Sequence, residues 1–165
     1  MRQLILLRHA TAQDGHGKAD FDRRLTEPGR VDAKRMGSWL VARGLCPDHA
    51  VSSPAPRALK TAHLACAQFG PPAPLVRTDA GLYGCEAPAL LRKLAALPPA
   101  SRCVLVVGHN PGLEQVALHL TGDEDLAARG LPTAGAVVAE LPDDWNDLGA
   151  RVASSWAVAD PAGLA

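Results

Sequence analysis

The sequence has no excess of charge of either sign and no long run of apolar residues. Across 165 residues, 17 Lys and Arg side chains balance 17 Asp and Glu side chains. Non-specific binding to nucleic acid or to a membrane surface relies on a basic excess, so this balance argues against both kinds of partner. The apolar run near the start covers only Leu4–Leu7, far short of the roughly 18 residues of a membrane span and too short for a signal peptide. We therefore expect a cytoplasmic protein.

The sequence also lacks the common metal-binding and hydrolase motifs. The four cysteines contain no C-x-x-C pair, although a zinc site or a disulfide scaffold would cluster them; they are Cys46, Cys66, Cys85 and Cys103. Neither the H-E-x-x-H signature of zinc hydrolases nor the G-x-S-x-G elbow of serine hydrolases occurs. We expect reduced, mainly structural thiols, with no metal and no other cofactor.

The apolar residues that are present follow two periodicities. Short apolar runs typical of buried strands alternate with segments whose apolar positions recur at helical spacing. We expect strands at 4–7, 50–53, 75–77, 103–107, 136–141 and 150–156, and helices at 26–44, 56–69, 87–97 and 111–122. This order predicts one α/β domain over residues 1–165, a three-layer α/β/α sandwich with a mostly parallel sheet. The last two strands make the sheet mixed, because no helix separates them and they should pair antiparallel.

Basic side chains stand at or just beyond the ends of three predicted strands. Arg8 and His9 follow the first strand, Arg57 lies a few residues after the second, and His109 follows the strand at 103–107. Because ligands of open α/β sheets bind beyond the carboxyl ends of the strands, these side chains should meet at one edge. Arg57 also falls in the first turn of its helix, where the helix dipole disfavours a cation unless an anion lies nearby. The pattern predicts a site for a compact anion, and phosphate suits paired arginines.

Histidine is the side chain at this edge that is best suited to attack phosphorus, because a useful fraction of imidazole is neutral at physiological pH. His9 would take up the phosphoryl group as phosphohistidine, which water then hydrolyses to release inorganic phosphate. Arg8, Arg57 and His109 would stabilise the charge that spreads over the phosphoryl oxygens in the transition state. Such a scheme needs no metal ion.

Three segments resemble the motifs of the histidine phosphatase superfamily, which also includes the phosphoglycerate mutases. Leu6–Ala10 resembles its opening R-H motif, although Ala10 stands where many members carry glycine. Ser52–Ala58 is similar to its second motif, and Gly108–Gly112 is similar to its third. The short chain and the stretch Asp20–Thr26 look most like the small SixA-type phosphohistidine phosphatases. The resemblance spans roughly residues 2–122, and three motifs in order at strand ends make it specific.

The resemblance implies the same roles as the argument from the residues, with His9 as the phosphoryl acceptor and with a phosphate site completed by Arg8, Arg57 and His109. It further implies that Arg23, in the polar loop at 11–25, reaches the phosphate. The carboxylate that usually acts as general acid in the superfamily has its nearest counterpart by position in Glu86. Without a strong acid, a substrate whose leaving group needs little help, such as a phosphorylated imidazole, is favoured over an alkyl phosphate.

Three functions remain open from the sequence. The resemblance favours a phosphatase that acts on phosphohistidine of a signalling protein, and a chain with little spare length for a lid suits such a substrate. The same chemistry could instead serve small phosphomonoesters, for which Glu86 would be a required acid. A non-catalytic module could use the basic edge to bind a phosphorylated partner, although binding alone would not require a nucleophilic histidine beside the arginines.

Overall fold

The computed structural model describes residues 1–164. The strands in that range are β1 (Arg2–Arg8), β2 (His49–Ser52), β3 (Val76–Thr78), β4 (Cys103–Gly108), β5 (Ala136–Leu141) and β6 (Ser155–Ala159). The α-helices are α1 (Glu27–Ala42), α2 (Pro56–Cys66), α3 (Ala87–Ala95), α4 (Gly112–Thr121) and α5 (Glu124–Arg129). Strands and helices alternate up to α4, as the two apolar periodicities predict.

The strands form a six-stranded sheet of order β3-β2-β4-β1-β5-β6. The first four strands of the chain are parallel, whereas β5 runs antiparallel to both β1 and β6. β1 and β4 pair in register up to Arg8 and Gly108, so both strands end at the same edge of the sheet. The mixed, mostly parallel sheet is confirmed, and so is the antiparallel pairing of the last two strands.

Helices cover both faces of this sheet. Successive residues of β1 face opposite layers: Ile5 and Leu7 belong to the core that α1 and α2 cover, whereas Leu4 and Leu6 belong to the core under α3, α4 and α5. A strand that is buried on both faces needs apolar side chains throughout, which explains the unbroken apolar run. The molecule is therefore the three-layer α/β/α sandwich that the sequence predicts.

Two helices begin where the sequence signals place them. The side chain of Thr26 caps α1 by accepting a hydrogen bond from the N–H of Gly29 at 3.1 Å. Pro56 occupies the first position of α2, where its missing N–H leaves no hydrogen bond unmade. This start places Arg57 in the first turn of α2, at the edge where β1 and β4 end.

The last strand lies further along the chain than the pattern predicts, at Ser155–Ala159 rather than at 150–156. The residues before it bind the end of α4 instead of the sheet. The N–H of Arg151 donates to the carbonyl of His119 at 2.7 Å, and the N–H of Ala153 donates to that of Leu120 at 3.0 Å. Their backbone hydrogen bonds are thus taken by the helix, and pairing with β5 begins only after them.

The sequence pattern does not predict α5, and the reason lies in its burial. Of its six residues only Leu126 is buried, so no apolar periodicity marks it. The helix begins because Asp123 accepts a hydrogen bond from the N–H of Leu126 at 3.0 Å. The other boundaries shift by a few residues, as at α3, which ends at Ala95 rather than at 97.

No helix within residues 1–164 combines the length and the apolar composition needed to cross a bilayer. Over the same residues, no three His, Cys, Asp or Glu side chains are grouped as metal ligands would be. The four cysteines form no disulfide with one another. Burial raises the pKa of Cys66 to about 11. Burial is also the largest of the causes that raise the pKa of Cys103 to about 11. Both side chains are therefore protonated thiols at neutral pH.

Candidate active site

The ends of β1, β2 and β4 bring the predicted residues together at one edge of the sheet. His9 follows β1, and its N–H donates to the carbonyl of Gly108, the last residue of β4, at 3.0 Å. On the other side of β4, the N–H of Ser53, which follows β2, donates to the carbonyl of Val107 at 3.0 Å. His109 follows β4 directly. The sheet register therefore fixes the backbone of all three segments.

The His9 ring is buried, and the backbone fixes its tautomer. Nδ1 lies 2.8 Å from the carbonyl oxygen of Ala10; because a carbonyl only accepts, Nδ1 carries the proton and Nε2 keeps its lone pair. Burial, together with the positive charges of Arg57 and Arg8, lowers the pKa of His9 to about 4. At neutral pH the ring is therefore an uncharged imidazole with an unprotonated Nε2, the form that attacks phosphorus.

Two arginines place partly unpaired guanidinium groups in this site. Arg57, with a side chain only 5% exposed, donates to the backbone carbonyl of Asp20 at 2.7 Å and to its Oδ2 at 3.0 Å. Arg8 donates to the carbonyl of Leu131 at 2.9 Å. The Nε atoms of both arginines and the Oδ1 atom of Asn110 are the buried side-chain polar atoms within residues 1–164 that have no partner. Such atoms are rare in folded proteins, and here they all belong to one site.

His109 stands opposite His9, with 5.2 Å between the ring centroids and 55° between the ring planes. Its Nε2 lies 2.8 Å from the hydroxyl oxygen of Ser53, which holds the ring in place. The pKa of His109 is lowered to about 4, mainly by burial and further by His9 and Arg57. The two imidazoles thus face each other without charge until an anion offsets the cost of protonation.

A cluster around Asp20 completes the wall of the site, and the sequence motifs do not predict its contacts. The Asp20 carboxylate accepts hydrogen bonds from the Tyr83 hydroxyl at 2.7 Å and from Arg23 at 3.1 Å, as well as from Arg57. The hydrogen bond from Tyr83, followed by that from Arg23, holds the pKa of Asp20 well below its usual range. The Tyr83 ring also packs edge-on against His109, with centroids 5.5 Å apart. Asp20 is therefore a permanent anion that anchors the loop to the arginines.

The two remaining predicted residues, Arg23 and Glu86, lie in different surroundings. Arg23 is held in the Asp20 cluster, where its Nε also donates to the carbonyl of Gln13 at 2.7 Å, so it lies at the border of the site. Glu86 is exposed at the N-cap of α3, and its side chain makes no capping hydrogen bond. The neighbouring carbonyl of Cys85 lies against Gly112, the first residue of α4, so the backbone before α3 packs on the start of α4.

A buried hydroxyl joins the two segments that carry His9 and Arg57. The N–H of Ala10 donates to Oγ1 of Thr61 at 3.0 Å, and the Thr61 hydroxyl donates to the carbonyl of Arg57 at 2.7 Å. Ala10 and Thr61 are fully buried. The structure therefore accommodates Ala10 at the position where many members of the superfamily carry glycine. The same two hydrogen bonds connect α2 to the end of β1.

Comparison with known proteins identifies the family. A family model described as the histidine phosphatase superfamily (branch 1) matches residues 4–83, a range that includes His9 and Arg57. An uncharacterized protein of Mycobacterium leprae (strain TN) is 31% identical in an alignment of 152 positions that covers 86% of this chain and 91% of that protein. The similarity therefore extends past the family model to most of the chain.

Solved structures agree with this assignment. A protein of Agrobacterium tumefaciens assigned as phosphohistidine phosphatase SixA superposes with a TM-score of 0.77 at 30% identity, over 85% of this chain and 92% of that chain. The protein histidine phosphatase SixA in complex with tungstate shares the fold, with a TM-score of 0.78 at 21% identity over 99% of both chains. The resemblance seen in the motifs is confirmed. The chain belongs to the histidine phosphatase superfamily, and it is a phosphohydrolase.

Proposed function

We propose that this phosphohydrolase removes the phosphoryl group from a phosphohistidine side chain of a signalling protein, without a metal ion, through a covalent intermediate on His9. The observation that carries the proposal is the state of His9, whose proton is held on Nδ1 by the Ala10 carbonyl and whose Nε2 is unprotonated. The unpartnered Nε donors of Arg8 and Arg57 belong to the same site. A neutral nucleophile beside unpaired cationic donors fits a phosphoryl group.

The reaction proceeds in two balanced steps. In the first, Nε2 of His9 forms a bond to phosphorus while the P–N bond of the substrate breaks, and the electron pair goes to the substrate imidazole, which takes a proton from solvent. In the second, a water oxygen attacks phosphorus, the bond to Nε2 breaks, and the lone pair returns to His9 as inorganic phosphate leaves. The Ala10 carbonyl holds the Nδ1 proton throughout and stabilises the positive charge that the phosphorylated ring acquires.

The remaining cationic groups stabilise the phosphoryl oxygens. Arg8 and Arg57 each present a buried Nε–H that can donate to an oxygen without breaking another hydrogen bond. His109 is neutral in the free protein, and the dianionic phosphoryl group favours its protonated form once bound. Its contact with Ser53 then keeps the ring turned toward the substrate. Arginine and imidazolium groups thereby supply the positive field that a metal ion supplies in other phosphoryl-transfer enzymes.

The carboxylates near the site favour a substrate with an easy leaving group. Asp20 stays ionised at neutral pH because Tyr83 and Arg23 donate to it, so it has no proton to give. Glu86 is exposed, and within residues 1–164 its side chain makes no hydrogen bond that would hold it toward the site. When the substrate is phosphohistidine, the attacking and the leaving group are both imidazoles, so the transfer is close to isoenergetic and needs no strong acid. The solved relatives assigned as phosphohistidine phosphatases support the same substrate class.

Release of phosphate from a synthetic phosphohistidine peptide, with a chelator present, tests this proposal. We expect turnover by the wild type and a loss of at least about 1000-fold in His9→Ala, because the nucleophile is removed. His16→Ala, a change of an exposed histidine in the loop at 11–25, is the matched control and should retain activity. An acid-labile phosphoenzyme trapped in the wild type and absent in His9→Ala would identify the intermediate.

The same assay separates the competing substrate class. A panel of small phosphomonoesters is run beside the peptide, with the wild type and with Glu86→Gln. Higher kcat/KM for an ester, together with loss of that activity in Glu86→Gln, would replace phosphohistidine with small esters and make Glu86 the acid. Turnover of the peptide by His9→Ala at the wild-type rate would contradict the mechanism.

A further inference from the structure

A groove with an apolar floor and a basic rim lies beside the active site. Its volume is about 370 Å³. The residues that line it, called here the basic groove, are Arg24, Leu25, Arg30, Pro54, Pro56, Leu59, Lys60 and His63. Four of these eight residues are leucine or proline and four are arginine, lysine or histidine, and no carboxylate is among them.

The basic groove begins where the phosphate site ends. Arg24 follows Arg23, which is bound to the Asp20 cluster, and Pro56 precedes Arg57, which donates to the same carboxylate. The two walls of the groove are therefore the two chain segments that close the site. A segment bound in the groove would therefore lie against the same two chain segments that hold Arg23 and Arg57.

The rim of the groove carries positive charge that the chain does not neutralise. Arg24 and Lys60 are exposed, and neither forms an ion pair within residues 1–164. Arg30 pairs with Glu27 at 3.6 Å, and the Glu27 side chain is largely exposed to solvent. This excess is local, because the whole chain has a formal net charge of zero. Lys60 also follows Arg57 near the start of α2, whose first turn has no acidic residue. An anionic partner would offset this local excess of positive charge.

We propose that the basic groove binds an acidic segment of the phosphorylated protein on which the enzyme acts. The proposal rests on the proposed function for the identity of that protein, and on charge complementarity for the chemistry of the segment. Asp and Glu side chains would contact Arg24, Arg30 and Lys60 at the rim. The apolar floor of Leu25 and Leu59, with the two prolines, would pack against the intervening side chains. Such contacts raise affinity for one partner protein over another without touching the reacting phosphorus.

Two synthetic phosphohistidine peptides test the groove, one with glutamates and one with glutamines on the same side of the phosphohistidine. At low ionic strength we expect the wild type to show a KM about tenfold lower for the glutamate peptide, with similar kcat, and we expect salt to reduce the difference. The double variant Arg24→Glu/Lys60→Glu should lose the preference and still turn over the glutamine peptide. The control Lys34→Glu/Arg129→Glu makes the same charge change at exposed sites on α1 and α5. This variant should keep the preference for the glutamate peptide.

Binding of the unphosphorylated peptides, followed by fluorescence anisotropy, separates failure of this inference from failure of the proposed function. Tenfold tighter binding of the glutamate peptide to the wild type than to the double variant, with no turnover of either phosphopeptide, would support the groove and contradict the proposed function. Equal KM and equal binding for both peptides would overturn the groove and leave the proposed function standing. Equal affinity for a single-stranded oligonucleotide of the same charge would overturn the assignment to a protein segment.

Discussion

Arg57 and Arg23 reach the same carboxylate, that of Asp20, but they differ in burial. The Arg57 side chain is 5% exposed and the Arg23 side chain is 29% exposed. Arg57 also carries one of the unpartnered Nε atoms, whereas the Nε of Arg23 donates to a backbone carbonyl. The buried residue therefore has a donor left for the phosphoryl oxygen of the proposed mechanism, whereas the Nε of the more exposed one is taken by the loop.

This difference predicts unequal effects of the same substitution. Arg57→Lys should lower kcat/KM for a phosphohistidine peptide by about 100-fold, because a lysine cannot contact Asp20 and the phosphoryl group together. Arg23→Lys should lower it by less than about fivefold, as expected for a partly exposed ion pair. Steady-state kinetics of both variants, with circular dichroism to check folding, decide the point. Equal losses would mean that Arg23, too, binds the phosphoryl group directly.

At the scale of elements, the start of α4 and the loop that carries Tyr83 approach each other closely. A Cβ atom added to Gly112 would lie 2.1 Å from the carbonyl oxygen of Cys85, a separation that no folded protein tolerates. Tyr83, two residues before Cys85, donates to Asp20 and packs on His109. The absence of a side chain at Gly112 thus allows this loop to form one wall of the site.

Gly112→Ala should therefore harm both stability and activity. We expect the free energy of unfolding to fall by about 1–3 kcal/mol, and kcat/KM to fall as well in protein that remains folded, because Tyr83 is displaced from Asp20. Gly108→Ala is the matched control from the same motif, since the atoms nearest to its Cβ would be those of the Leu113 side chain at 3.7 Å, an ordinary contact. Urea unfolding and kinetics of the two variants provide the comparison, and equal behaviour would contradict a role for this close approach.

The elements that the sequence predicts well are those with local signals. β1 contains the apolar run Leu4–Leu7 and β4 the run Cys103–Val107, and the residues that follow these strands, His9 and His109, could be placed at one edge from strand order alone. Asp20 and Tyr83 escape prediction because their hydrogen bond joins residues 63 positions apart, a pairing that no spacing rule encodes. Helix α5 escapes because its sole buried side chain gives no periodic pattern.

At the scale of the whole molecule, two uncharged histidines in one buried site link folding to pH. The pKa of His9 and that of His109 are both about 4 in the folded protein, mainly because of burial, against about 6.5 in an unfolded chain. Between these two values the unfolded chain binds more protons than the folded one. Stability is therefore fully present above about pH 6.5, and it declines as the pH falls toward 4. Below that range these two groups cause no further loss.

Replacement of the buried imidazole should remove part of this decline. For His9 alone the linkage amounts to about 3 kcal/mol when the full window is crossed. We expect the free energy of unfolding of the wild type to fall more steeply between about pH 7 and pH 4.5 than that of His9→Asn, whose side chain does not titrate. Urea unfolding at a series of pH values, without phosphate, measures both slopes. Inorganic phosphate should flatten the wild-type curve, because an anion in the site favours protonated imidazole in the folded state. Parallel curves for the two proteins would show that the His9 ring is not kept neutral by burial, and the reactive state assigned to Nε2 would lose its physical basis.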